Sequence, residues 1–98
     1  MFIITLTLTD QKSKAPEHMA DHNAWIARGF DDGAFLLVGN LKPQGGGVIF
    51  ATGSDLASLE QRVAEDPFVQ EGIAIPHIQE LSPWRTDARL DFLTDTAS

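Results

Sequence analysis

The chain has 98 residues, enough for one domain and too few for two. Seven basic against fourteen acidic residues give a net charge of -7, and no basic stripe with interleaved aromatics appears, which excludes nucleic acid as an expected partner. There is no cysteine and no apolar run of membrane-spanning length, so neither disulfides nor a bilayer is expected to hold the fold.

Phe2, Ile4, Leu6 and Leu8 alternate with Ile3, Thr5, Thr7 and Thr9, the period of a half-buried strand. These interleaved threonines make the opening a strand and not a signal peptide, so a soluble cytoplasmic protein is expected. "DQKSKAP" reads as a loop leading into a helix from about Pro16 to Asp31. Pro16 suits its first turn, and Gly33 supplies the left-handed residue that closes its end. "AFLLVGNL" is a second strand, "KPQGGG" a turn, and "VIFAT" a third strand returning as a hairpin. The run Gly45 to Gly47 joins strand to strand, whereas a phosphate-binding loop joins strand to helix.

Ser54 is placed to cap a second helix to about Glu65, with Leu56, Leu59 and Val63 as its buried stripe. "IAIPHIQEL" is the fourth strand, and Pro76 predicts an edge position or a bulge. The order βαββαβ predicts an α+β, ferredoxin-like domain with an antiparallel sheet over residues 1–81. A tail over 82–98 follows, and Trp84, Leu90, Phe92 and Leu93 predict that part of it docks.

Alternation puts Phe35, Leu37 and Leu41 on one face of the second strand and Leu36 and Val38 on the other. The third strand sets Val48 and Phe50 against Ile49 and Ala51. Both faces are apolar, yet two helices cover only one. A homodimer with two sheets packed face to face would cover the second; the alternative is the tail folding over it.

In the first helix, Met19, Ile26 and Phe30 share a face, and His22 projects inside that apolar arc beside Trp25. Either it is a core histidine satisfied by a backbone carbonyl, or a titratable group aimed at a site. His18 lies one turn earlier, at a spacing that permits metal chelation, but no convincing third and fourth ligands accompany the pair, so no metal is expected. Asp66 precedes Pro67, a favoured start for a short helix "PFVQE" closed by Gly72. Capping accounts for the residue type without any chemistry.

"MADHNAWIARGFDDGAFLLVGN" followed by "EDPFVQEGI" resembles the YCII-related (YciI-like) proteins, small ferredoxin-like chains that dimerise as an α+β barrel. The likeness is carried by His22 with Trp25 and Ile26, by Gly33 and Gly39, and by Asp66-Pro67-Phe68 with Gly72. It runs from about Phe2 to Leu81. The resemblance implies that His22 and Asp66 form a catalytic dyad in a cleft. One relative is associated with dehydrochlorination of an aromatic intermediate. This chain departs in having Met19 where many relatives carry arginine, which weakens the case for an anionic substrate, and Asn40 where many carry proline.

The expected activity is therefore cofactor-independent acid/base chemistry, elimination or isomerisation, on a small organic molecule. His22 would move the proton and Asp66 would orient its ring. His18, Trp25, Gly39 and Asn40 are the expected pocket residues. The competing reading is a non-catalytic ligand-binding or interaction module in which the pair is purely structural.

Overall fold

A computed structural model describes residues 1–95. The elements run β1 (Phe2–Leu8), α1 (Ala15–Asp31), β2 (Phe35–Asn40), β3 (Gly47–Ala51), α2 (Leu56–Ala64), α3 (Pro67–Gln70), β4 (Ala74–Glu80) and α4 (Asp91–Asp95). The sheet order is β2-β3-β1-β4, with every neighbouring pair antiparallel. This is the ferredoxin-like α+β arrangement, and β4 is an edge strand, where Pro76 removes no ladder bond on its open side.

One core joins sheet and helices. Phe2, Ile4 and Leu6 of β1 and Ile49 and Ala51 of β3 pack with Trp25 of α1, Leu59 and Val63 of α2, and Phe68 of α3. Gly29 lets α1 approach β2, because a Cβ there would collide with the Phe35 ring. Trp25 turns an edge to Phe35 and donates its indole N–H to the Arg62 carbonyl at 2.9 Å, tying α1 to the end of α2. Gly33, at φ 73°, closes α1 in the left-handed conformation.

Three local expectations are corrected. Asp55, not Ser54, caps α2: its side chain accepts the Ser58 N–H at 2.7 Å. Leu56 then falls on the first turn and is exposed, leaving Leu59 and Val63 as the buried stripe. In β2 the register shifts between Phe35 and Leu37, so Leu36 is bulged out of the pairing. Phe35 faces Ala51 and Val38 faces Ile49, which places Val38 on the helix side and Leu37, opposite Phe50, on the open side. Of the tail residues, Leu93 is buried, whereas Trp84, Leu90 and Phe92 are exposed.

Candidate active site

The buried stripe of α1 is His22, Trp25 and Gly29, at intervals of three and four residues. Met19 and Phe30, expected on that face, lie at its margins and are exposed. His22 faces the turn that starts α3. There Asp66 adopts an extended backbone, Pro67 occupies the first helical position, and the Asp66 side chain accepts the Phe68 N–H at 3.0 Å. The same oxygen, Oδ1, lies 2.7 Å from Nδ1 of His22. Asp66 thus caps a helix and holds an imidazole with one atom.

The Asp66 side chain is fully buried, and its second oxygen, Oδ2, is buried without a hydrogen-bond partner among the described residues. The His22 ring stacks on Phe68, with centroids 3.9 Å apart and planes 3° from parallel, and Trp25 lies beyond it at 6.0 Å. An ionised Asp66 can only accept, and with it Nδ1 of His22 is the donor in this pair. In the neutral ring Nε2 then carries the lone pair, and it makes no hydrogen bond to a described residue.

His22 lines a cleft of about 370 Å³ between α1 and the β1–β2–β3 part of the sheet. From α1 come Ala15, Met19, His22, Asn23 and Ile26; from β1, Leu6 and Leu8. The sheet side adds Val38, Gly39, Asn40 and Ile49, with Gly46 and Gly47 of the hairpin. Phe68 and Ala74 close it beside the pair. The walls are apolar apart from His22, Asn23 and Asn40.

His22, Asp66, Gly39 and Asn40 are thus gathered in or beside one cleft, whereas His18 and Trp25 are not among its lining residues. His18 projects toward Glu71, with Nε2 3.9 Å from the carboxylate, and Trp25 is spent on the core. His18 and His22 thus meet different carboxylates at opposite ends of α3, and among the described residues no three acidic, histidine or cysteine side chains are grouped to hold a metal. Asn23 was not singled out from the sequence. Its signal was the stripe Met19–Asn23–Ile26, at helical spacing along the cleft wall. A second depression of about 390 Å³, between α2 and β4, contains no buried polar side chain.

Fold and site define a ferredoxin-like domain with a buried imidazole–carboxylate pair at an apolar cleft. The chain belongs to the YCII-related domain family, whose model matches residues 1–84. Among solved structures it is similar to 5-chloro-2-hydroxyhydroquinone dehydrochlorinase (TftG) from Burkholderia phenoliruptrix AC1100, in complex with 2,5-dihydroxybenzoquinone. The TM-score is 0.70 at 14% identity, covering 82% of this chain and 91% of that one. It is also similar to SnoaB, a cofactor-independent oxygenase from Streptomyces nogalater, with a TM-score of 0.46 at 15% identity over 87% of this chain and 92% of that one. No functionally curated protein matches the chain.

Proposed function

We propose that this protein is a cofactor-independent enzyme that moves a proton on a small organic molecule, with His22 as general base and acid and Asp66 as the residue that positions it. The observation that carries this reading is the 2.7 Å contact between Nδ1 and a fully buried carboxylate, on a ring that lines a cleft. With Nδ1–H committed to Asp66, Nε2 is the basic nitrogen available to a bound molecule. In an elimination, Nε2 takes the proton from carbon, the freed electron pair becomes the new π bond, and the leaving group departs with its own pair. In an isomerisation, the proton returns to a different atom. Asp66 stabilises the imidazolium in both. A protein similar in fold is named a dehydrochlorinase, which supports loss of hydrogen halide as the first reaction to assay.

The proposal includes a homodimer and a cytoplasmic setting. The sheet face away from the helices presents Ile3, Leu37, Val48, Phe50 and Ile75, with Leu37 48% and Ile75 62% exposed. A second copy packed on that face would bury them. Among the described residues no helix is long and apolar enough to cross a membrane. Light scattering at micromolar concentration should give twice the chain mass; a monomer at all concentrations contradicts the dimer.

The activity is tested by following halide release from chlorinated phenols and hydroquinones and proton exchange in D2O, with wild type and His22→Gln. At least one compound should turn over, and the substitution should reduce its rate by about 100-fold or more. Saturable binding without turnover in any assay would favour the non-catalytic module.

A further inference from the structure

Beside His22 the cleft carries two further polar side chains. Asn23 and Asn40 line its exposed rim, and neither carboxamide makes a hydrogen bond to another described residue, so both are open to a bound molecule. Asn23 follows His22 on α1, about 100° round the helix, in line with Met19 and Ile26. Asn40 ends β2 on the helix side of the sheet, paired with Gly47. No lysine, arginine, aspartate or glutamate is among the lining residues. An anion entering would lose water without meeting a lysine or arginine, and the His22 imidazole is already matched by the Asp66 carboxylate, inside a chain of net charge -7. A carboxamide both donates and accepts, so it matches a hydroxyl or a carbonyl equally well.

We propose that the cleft recognises an uncharged, largely hydrocarbon molecule bearing hydroxyl or carbonyl groups, and that Asn23 is the positioning residue that holds one of them beside Nε2 of His22. This rests on the acid/base reading of the site, and adds to it the charge of the substrate and the group that orients it. Apolar walls take the hydrocarbon body, and the free carboxamides set its register.

The test is NMR shift titration of the wild type and of Asn23→Ala, Asn23→Gln and His22→Gln with four probes: resorcinol, m-cresol, m-xylene and 3,5-dihydroxybenzoate. In the wild type, resorcinol should bind more tightly than m-xylene, by about fivefold for a hydroxyl that is hydrogen-bonded. The benzoate should bind at least about tenfold more weakly than resorcinol. Asn23→Ala should lose about fivefold for resorcinol and leave m-xylene unchanged, and Asn23→Gln should recover part of the loss. His22→Gln should keep the preference for resorcinol over the benzoate. Equal binding of resorcinol and the benzoate overturns the inference, as does an Asn23→Ala loss that is equal for resorcinol and m-xylene, or absent. Such a result beside His22-dependent turnover faults this inference alone. No binding of any probe overturns it as well, and if turnover is also absent the acid/base reading falls with it.

Discussion

Asp55 and Asp66 do the same local job eleven positions apart, and the difference between them locates the site. Each begins a helix with an extended backbone and accepts a backbone N–H at its first turn, Ser58 at 2.7 Å for Asp55 and Phe68 at 3.0 Å for Asp66. Asp55 stands in solvent and makes no hydrogen bond or ion pair with a titratable group among the described residues. Asp66 is fully buried, grips His22, and keeps in the interior an oxygen with no partner among the described residues. A cap needs none of that. Burying a carboxylate costs several kcal/mol of lost hydration in order-of-magnitude terms, recovered only in part by a partner. The excess burial of Asp66 over Asp55 is what capping leaves unexplained and an acid/base site explains.

The comparison is broken most severely by removing the histidine. His22→Ala leaves Asp66 buried with its cap bond and no partner, and should destabilise the fold by about 3 kcal/mol or more in a denaturant titration. A loss under about 1 kcal/mol would mean that water already satisfies the carboxylate as well as the ring does.

Asp66 itself should sort by side chain. Asp66→Ala removes the cap and the ring's acceptor, and should lower stability by about 1–2 kcal/mol. Asp66→Asn retains a capping oxygen and should stay within about 1 kcal/mol of wild type, while losing the activity that Asp66 supports. If the asparagine variant turns over as fast as wild type, Asp66 is only a cap.

Asp55 gives the smallest effects and the control. Its carboxyl is held below the ordinary value of 3.8 by the backbone N–H of Ser58, with the Ser58 side chain contributing further. A carboxylate depressed in the folded state stabilises it above the unfolded value and loses that contribution as pH falls through the folded value. The melting-temperature gap between wild type and Asp55→Asn should therefore be small near neutrality and should shrink further below about pH 3.8. Turnover should be unchanged, and a change in it would show that the comparison is drawn between the wrong residues.

The contrast was half legible in the sequence. Strand alternation in β1 and the 3.6 period of α1 fix which faces meet, so the βαββαβ order and the inward His22 follow from spacing. The Asp-Pro pair announces a helix start, and a start looks alike whether exposed or buried. What was hidden depends on partners distant in sequence. The bulge at Leu36 carries no compositional mark, yet it turns Val38 toward the cleft and Leu37 away. Ser54 and Asp55 are both good caps, and only the backbone path chooses between them. Asn23 read as one more polar residue on a helix, because the cleft beside it exists only once α1 lies across the sheet.

The central claim is that Asp66 holds the proton of His22 on Nδ1 and leaves Nε2 as the base facing the cleft. Long-range 1H–15N correlation spectra of the three histidines, with His22 assigned by its substitution, report which ring nitrogen is protonated in the neutral form. Wild-type His22 should be the Nδ1–H tautomer, whichever form His18 and His77 adopt. A neutral His22 protonated on Nε2 would put the proton on the cleft side, make Asp66 the donor, and contradict the assignment of His22 as the general base.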